Sequence, residues 1–252
     1  MKNFISIIFS IILFSQFVHA KEIETLFNQA VAHYQKGEYE QTVNLFEQIL
    51  SKGYKGKSLY YNLGNAYFRL GKIGLAILNY ERAKKLSPSD EDVNHNLTFA
   101  NSRLIDKIET LPRFLIFDWW ENLLSSMSID GWAYVTYFFY ILILVSVGCY
   151  YFARNLKIQR FGFYSGFVSL VLLVFVIILL VVNLNREFNV KHGIIIDQEV
   201  VTKFSPDLNS KDAFVVHEGL KVKTEDSIGG WIKIKLIDGK VGWVKSSSLE
   251  VI

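Results

Sequence analysis

Two long uncharged stretches dominate the pattern of hydrophobic and polar positions along the chain. The first covers residues 131–153 and the second covers residues 161–185. A helix of about 20 apolar residues crosses the hydrocarbon core of a bilayer, so each stretch is long enough to span a membrane. The pattern therefore predicts two transmembrane helices. The alternative is a pair of buried helices in a soluble protein, and such helices rarely run this long without a charge.

The loop between the two stretches, residues 154–160, predicts their orientation. It contains Arg154, Lys157 and Arg160 and no acidic residue. Basic residues next to a membrane span remain in the cytoplasm. We therefore expect a cytoplasmic loop, with the chain on either side of the helix pair outside the cytoplasm.

The first 20 residues have the pattern of a signal peptide. Lys2 is followed by an apolar run from Phe4 to Phe17 and by small residues that end at Ala20. This order of charge, apolar core and small residue precedes a cleavage site in secreted proteins. An uncleaved membrane anchor is the alternative. Either form would direct the chain from Lys21 onward out of the cytoplasm.

Residues 57–90 have the pattern of two amphipathic helices joined by a turn that contains glycine. Apolar and small residues recur at helical spacing, and the small ones lie where two helices must approach closely. The segment resembles a tetratricopeptide repeat, in which an aromatic, Leu-Gly, Tyr, Ala, aromatic, Ala and Pro follow in fixed register. The matching residues are Tyr60, Leu63, Gly64, Tyr67, Gly71, Ala76, Tyr80, Ala83 and Pro88.

The preceding residues 23–56 repeat this pattern less completely. Gly37 corresponds to Gly71 and Phe46 to Tyr80, whereas Thr42 replaces the first Ala of the second helix. Residues 91–109 continue the register and are predicted to form a capping helix, which the ends of solenoids need. We therefore predict a small all-α solenoid over residues 21–110.

In the repeat family, the first helix of each pair faces a concave groove that binds partners. The resemblance therefore implies a groove of ten residues, although several of the aromatics could instead pack between helices. They are Phe27, Val31, Tyr34, Tyr61, Asn65, Phe68, Arg69, His95, Phe99 and Arg103. Some repeats of this family clamp a terminal carboxylate, but Asp92 would repel one here. An extended or helical apolar segment of a partner is the better expectation.

Residues 111–130 connect the solenoid to the first apolar stretch. Apolar residues recur there at helical spacing, and the Trp residues 119, 120 and 132 suit a membrane interface. We predict an amphipathic helix in the interface; a helix packed on the solenoid is the alternative.

Residues 190–252 change to short β-branched runs separated by Gly, Asp and Ser. An Asp-Gly pair between two such runs predicts a β-hairpin. The segment resembles bacterial SH3-type domains, and this predicts a small all-β SH3-like barrel. The residues that carry the resemblance are Trp231, Asp238, Gly239, Gly242 and Trp243. His217, which has no Cys or second His near it in sequence, is interpreted as supporting a turn.

Composition narrows the possible functions. The formal net charge is +3, and no basic stripe of the kind that binds nucleic acid is visible. Cys149 is the one cysteine and lies in the first apolar stretch. No ionisable residue lies at mid-depth in either stretch, which argues against a transporter. We find no candidate catalytic, cofactor-binding or metal-ligating residues, so we predict a protein that is not an enzyme and needs no cofactor.

The order of these parts resembles BatE-type proteins of the bacterial Bat aerotolerance group. It predicts a multidomain membrane protein with an all-α tetratricopeptide solenoid, a two-helix transmembrane hairpin and a small all-β SH3-like barrel. The resemblance implies the inner membrane of a bacterium, with both soluble parts on the outer side. It also implies partners among envelope proteins, including von Willebrand A-type membrane proteins and a MoxR-type ATPase, and a role in stress or oxygen tolerance.

Two other functions are considered. The SH3-like part could bind or sense peptidoglycan, as some domains of this type bind cell-wall peptides. A cell-wall hydrolase would need a Cys/His, metal or paired-carboxylate site, and the five histidines of the chain are scattered. A non-enzymatic scaffold that binds other envelope proteins is the leading hypothesis.

Overall fold

The structure is a computed structural model that describes residues 21–107, 115–189 and 191–252. The predicted signal peptide, residues 1–20, lies outside the described residues. Within them, the chain forms a helical solenoid, then three further helices, and finally an antiparallel sheet. The predicted fold class is therefore confirmed, with one difference in the sheet that is described below.

Five helices form the solenoid. The first pair is joined at Gly37 and the second at Gly71, and both glycines have the left-handed backbone that ends a helix with little strain (φ +79° and +74°). The helices are α1 (residues 21–35), α2 (Tyr39–Ser51), α3 (Lys57–Arg69), α4 (Ile73–Leu86) and α5 (Glu91–Asn101).

The signature residues explain how these helices pack. A Cβ atom on Gly64 would lie 2.7 Å from the ring of Tyr80, so only glycine lets α3 approach α4 this closely. Leu63, Ala76 and Ala83 are completely buried. Asp90 begins α5 by accepting a hydrogen bond from the backbone N–H of Val93 at 3.1 Å. The structure thus contains the predicted tetratricopeptide repeats.

Two of the next three helices are long and apolar. They are α7 (Ile129–Phe152) and α8 (Leu156–Asn189), and both are long and apolar enough to cross a membrane. They lie antiparallel, and a Cβ atom on Gly162 of α8 would be 2.8 Å from the carbonyl oxygen of Ser146. Small residues therefore let the two backbones touch.

The shorter helix α6 (Leu115–Leu124) precedes them. Its last residue, Leu124, is buried, and the Leu124 carbonyl accepts a hydrogen bond from Trp132 Nε1 of α7 at 3.2 Å. Glu121 of α6 forms two hydrogen bonds, of 2.6 and 2.8 Å, with the guanidinium of Arg186 in α8. Thus α6 packs on the helix pair, and residues 111–114 of the predicted connector lie outside the described residues.

The C-terminal part is a single antiparallel sheet. Its seven strands are ordered β3-β2-β6-β5-β4-β1-β7, and β3 and β7 do not pair with each other, so the sheet is open. The strands are β1 (Lys191–Ile195), β2 (Glu199–Lys203), β3 (Asp212–His217), β4 (Lys221–Ile228), β5 (Trp231–Lys235), β6 (Val241–Lys245) and β7 (Leu249–Val251).

The predicted hairpin joins β5 to β6. Gly239 has a left-handed backbone (φ +92°), and Asp238 accepts a hydrogen bond from the Lys240 N–H at 3.1 Å. This bond and the Lys240 ammonium lower the pKa of Asp238. Trp231 and Trp243 are half-buried. The all-β prediction is thus confirmed, whereas the expected barrel is an open sheet because β7 contacts the solenoid instead of β3.

Candidate functional site

The concave face of the solenoid is the candidate site. Nine of its ten predicted residues lie on α1, α3 and α5, the first helix of each pair and the capping helix, and Arg103 follows two residues after α5. Six of them are half-buried, namely Phe27, Val31, Tyr34, Tyr61, Asn65 and Phe68. Arg69, His95, Phe99 and Arg103 are exposed. The face therefore combines an apolar floor with polar and aromatic groups that solvent reaches.

One cluster joins α3 to α5. The rings of Phe68 and Phe99 lie 5.5 Å apart in a tilted arrangement. The Arg103 guanidinium lies over the Phe99 ring, 5.2 Å from its centre. Phe99 nevertheless keeps 46% of its surface exposed. An exposed aromatic ring held by packing and by a cation–π contact is a suitable anchor for an apolar side chain of a partner.

A second cluster joins α1, α2 and α3. Tyr34 and Tyr39 meet edge to face at 5.2 Å, and the Arg69 guanidinium lies 5.2 Å from the Tyr39 ring centre. Arg69 Nε also donates a hydrogen bond to the Tyr39 hydroxyl at 2.9 Å, and this bond raises the pKa of Arg69. Burial raises the pKa of Tyr34. Arg69 therefore carries a fixed positive charge at the edge of the groove.

A network of amides and hydroxyls lies between the two clusters. The Tyr80 hydroxyl donates to Asn65 Oδ1 at 2.7 Å. Asn96 Nδ2 donates to the same oxygen and to the Tyr61 hydroxyl, both at 3.0 Å. Burial raises the pKa of Tyr80 strongly, so this hydroxyl stays protonated. The network fixes the groove floor across α3, α4 and α5.

The remaining predicted residues have different surroundings. Phe27 stacks on the buried Phe46 of α2 at 5.4 Å, so it belongs to the core as well as to the groove. Val31 also packs against the core. His95 is exposed on α5. Tyr61 and Phe68 pack against the same core. The structure therefore brings Phe68, Phe99 and Arg103 together, whereas Phe27, Val31, Tyr61 and Phe68 all have packing roles as well.

The opposite face of the solenoid is covered by the sheet. The Lys221 ammonium of β4 forms an ion pair with Glu81 of α4 at 2.8 Å. Arg82 of α4 donates to the Val251 carbonyl at 3.1 Å, and Lys85 donates to the Ile252 carbonyl at 3.2 Å. Side chains of α4 thus satisfy one carbonyl group of the edge strand β7 and the carbonyl group that follows it, which protects an edge that would otherwise attract another strand.

Two glycines make this contact close. A Cβ atom on Gly74 of α4 would lie 2.9 Å from the Ile195 carbonyl oxygen of β1. A Cβ atom on Gly219 would lie 2.5 Å from Leu104 and 2.9 Å from Ile77. The Gly74 N–H donates to Glu218 Oε2 at 3.2 Å. The solenoid and the sheet therefore share a packed boundary.

His217 has a role at this boundary. Its backbone N–H donates to Asp106 Oδ2 at 2.7 Å, and its ring Nδ1 is 2.8 Å from Asp106 Oδ1. The residue was interpreted from the sequence as supporting a turn. The structure shows in addition that it ties β3 to the segment after α5.

The described residues offer no group of three or more His, Cys, Asp or Glu side chains that could hold a metal ion. In the groove, the polar groups are amides, phenols, guanidinium groups and the imidazole of His95, which bind a partner by stacking and hydrogen bonds. The chemistry of these side chains therefore suits recognition of a partner.

Sequence reasoning missed Tyr39 and Asn96 as groove residues. Tyr39 begins α2, and only the packing of α2 on α3 brings its ring to Arg69. Asn96 lies next to His95 on α5, and the repeat register assigns only His95 to the groove. The available signal was that Asn96 is a polar residue at the sixth position of α5, on the side that faces the preceding repeat.

Comparison with known proteins supports the class of fold. Residues 58–90 match the family model described as tetratricopeptide repeat. This segment contains α4 and nearly all of α3, together with all nine signature residues. The repeat class therefore rests both on the geometry and on an independent match.

Curated relatives match over 85 residues of the chain. The chain is similar to tetratricopeptide repeat protein 16 of Macaca fascicularis and of Homo sapiens, in each case with 29% identity over 85 residues. The matched segment is 33% of this chain and 10% of each relative. The protein of the same name from Mus musculus matches at 29% identity and is covered to 11%. The chain thus spans about a tenth of the length of the curated relatives it matches.

Proposed function

We propose that the chain is a non-enzymatic scaffold, anchored in a membrane by α7 and α8, whose groove binds a segment of another protein. The observation that carries this proposal is the set of exposed aromatic and guanidinium groups on α3 and α5, held in place by contacts within the solenoid. Tetratricopeptide repeats commonly mediate protein–protein interaction, and this supports the same conclusion.

The ligand we propose is an extended or helical apolar segment. Phe68 and Phe99 would contact its apolar side chains, because aromatic anchors supply much of the free energy of such interfaces. Arg69 and Arg103 would bind its carbonyl or acidic groups at the rim. The amide network gives the groove floor a fixed shape, which reduces the entropy lost on binding.

The setting we propose is the bacterial cell envelope. The order of repeats, helix pair and sheet resembles BatE-type proteins, and the basic loop at 154–160 favours a cytoplasmic position for that loop. The solenoid and the sheet would then both lie outside the cytoplasm, in a Bat-type complex linked to stress or oxygen tolerance. Von Willebrand A-type membrane proteins are the partners that this resemblance suggests.

Binding of peptidoglycan by the sheet is the second candidate function. The paired residues Val201 and Val215, on β2 and β3, expose 43% and 44% of their surfaces. Phe204 and Leu208, in the adjoining loop, are 66% and 63% exposed. These four exposed apolar side chains lie on β2, on β3 and in the loop between them, and a cell-wall peptide could bind there.

Site-specific photocrosslinking in intact cells tests the scaffold proposal. A photoreactive residue at Phe99 is expected to capture a defined envelope protein, identified by mass spectrometry. The same residue at Asn44, which is exposed on α2 away from the groove, is the matched control. Equal capture from both positions, or capture of lipid alone from Phe99, would contradict the groove assignment.

A pull-down separates the two candidate functions. The purified full chain in detergent is mixed with insoluble peptidoglycan, and the variant Phe204→Ser is compared with Phe99→Ser. Retention that is lost only in Phe204→Ser would favour the cell-wall function. Failure of the wild type to sediment with peptidoglycan would remove that function and leave the scaffold proposal intact.

A further inference from the structure

A cavity of about 710 Å³ lies where the solenoid, the helix pair and the sheet meet. Its wall is formed by the end of α4, the turn between α6 and α7, the last turns of α8, and strands β1 and β4. Ile129 begins α7, and Arg186 ends the apolar part of α8. The cavity is therefore level with the same end of both long apolar helices.

Basic groups outnumber acidic groups in this wall. Four basic side chains line it, Lys84, Lys85, Arg186 and Lys221, and two acidic ones, Glu81 and Asp130. Lys221 is paired with Glu81, and Arg186 is paired with Glu121, which lies outside the lining. Lys84 forms no ion pair with any residue that the structure describes. Among the described residues, the cavity therefore offers at least one ammonium group, that of Lys84, that is in no ion pair.

The surroundings of His192 agree with a positive field in the cavity. Burial lowers the pKa of this imidazole, and the charges of Lys221, Lys223 and Lys85 lower it further, against the opposing effect of Glu81. A base whose protonation is opposed in this way stays neutral near pH 7 and adds no charge of its own. The site thus favours an incoming anion.

Apolar side chains complete the wall. Leu86 and Met127 expose 47% and 44% of their surfaces, and Pro88 and Ile129 also line the cavity. A free inorganic anion would gain nothing from these groups. An amphiphile with an anionic head and an apolar tail would contact both kinds of surface at once.

We propose that this cavity binds the headgroup of an anionic phospholipid, with the phosphate near Lys84 and the acyl chains along α7 and α8. The inference rests on the proposed membrane anchoring, because only that setting brings the ends of α7 and α8 to the level of lipid headgroups. The lipid connects all three parts of the molecule, so its binding holds the solenoid and the sheet at a fixed height above the bilayer.

Thermal unfolding of the delipidated full chain in detergent tests the proposal. Phosphatidylglycerol is expected to raise the Tm, whereas phosphatidylcholine with the same acyl chains and inorganic phosphate at equal concentration are not. Lys84→Glu is expected to weaken phosphatidylglycerol binding at least fivefold in native mass spectrometry, because loss of one basic residue near an anionic surface weakens binding by about fivefold and the new carboxylate adds repulsion. Lys55→Glu makes the same charge change on the exposed loop after α2 and is expected to bind as the wild type.

Each other outcome counts against a specific claim. Equal binding of the two lipids by the wild type, or equal losses in the two variants, would overturn the lipid site. An equal shift with inorganic phosphate would show an anion site without lipid selectivity, and would also overturn it. Extraction of the chain from vesicles by alkaline carbonate is measured in parallel; release there would refute membrane anchoring itself, whereas retention without lipid selectivity refutes only this inference.

Discussion

The two faces of the solenoid are built from the same repeat motif, but one is exposed and the other is covered by the sheet. On the concave face, Phe99 and Arg69 are exposed and are held by neighbours within the repeats. On the opposite face, Ile77 is 1% exposed, and Gly74 touches the backbone of β1. One face is open to a partner from outside, and the other is already occupied by the chain's own sheet.

This difference explains how so short a solenoid can be stable. Repeats bury their apolar surface by stacking, and about three are normally needed. Here the apolar cluster of the solenoid includes Ile194 of the sheet and packs against Ile252. The sheet therefore supplies buried surface that a further repeat would otherwise provide, and the concave face needs no cover of its own.

The largest expected effect contrasts a buried residue of the covered face with an exposed residue of the groove. Ile77→Ala should lower the free energy of unfolding by about 2–5 kcal/mol, because it leaves a cavity where α4 meets Gly219. Phe99→Ala should cost less than about 1 kcal/mol and abolish partner capture. Chemical denaturation of the full chain in detergent measures both; equal losses would mean that the two faces do not differ.

The next effect tests the close contact between α4 and β1. Gly74→Ala should lower the free energy of unfolding by about 1–3 kcal/mol, because the added methyl group overpacks the boundary. The higher helix propensity of alanine offsets part of this loss. Gly148→Ala is the matched control, since it lies within helix α7 and its added Cβ would meet nothing within 4 Å. Hydrogen exchange of the α4 amides should rise only in the first variant. Unchanged protection in Gly74→Ala would show that the boundary opens freely.

An effect of similar size is expected at the bond between Asp106 and His217. Asp106→Ala leaves the His217 N–H without its acceptor and should cost about 1–3 kcal/mol. Asp92→Ala removes a carboxylate from the exposed start of α5 and serves as the control. Proteolysis of the native chain should become faster in β3 after the first change alone. Identical digestion of both variants would argue against a tie at this point.

The smallest effect concerns how the stability of the solenoid changes in acid, through the ion pair between Lys57 and Asp90. Lys57 lies 2.7 Å from Asp90, and this bond and the Val93 N–H lower the pKa of Asp90. Because the folded pKa is below the unfolded value, the stabilisation is complete above about pH 4 and is lost as pH falls through the folded pKa. Asp90→Asn keeps the helix cap, so it should cost under about 1 kcal/mol at pH 7. The denaturation midpoint of Asp90→Asn should vary less than that of the wild type between pH 5 and pH 2. An equal pH dependence of the two midpoints would contradict a lowered pKa of Asp90.

How far sequence predicts this molecule depends on the range of the interaction. The repeat register was predictable because Gly64 and Tyr80 meet within one helix pair, whose spacing is local. The two long helices were equally clear from composition: α7 begins two residues before the predicted span, and α8 extends beyond the predicted second span at both ends. The local periodicity of the sequence was thus enough to predict most of the helical fold.

The rest depends on contacts between distant parts of the chain. Nothing in the sequence around Gly74 or Gly219 indicates that the two would adjoin, and nothing local indicates that β7 would contact the solenoid instead of β3. In the groove, ring stacking between Phe68 and Phe99 agrees with their places on the concave face. The contact between Arg69 and Tyr39 was not predictable, because it depends on the angle between α2 and α3, and the periodicity of the sequence does not give that angle.

The contact between α4 and the sheet also has a consequence for biosynthesis. Ile77 is made early, whereas Ile194, which belongs to the same apolar cluster, and Ile252, which packs against it, are made later. At about 5–20 residues per second, the covering surface follows on the order of ten seconds or more later. During that interval the back of the solenoid is exposed and incomplete. The last step of folding is therefore a return of the C-terminal strands to a surface that was synthesised long before them.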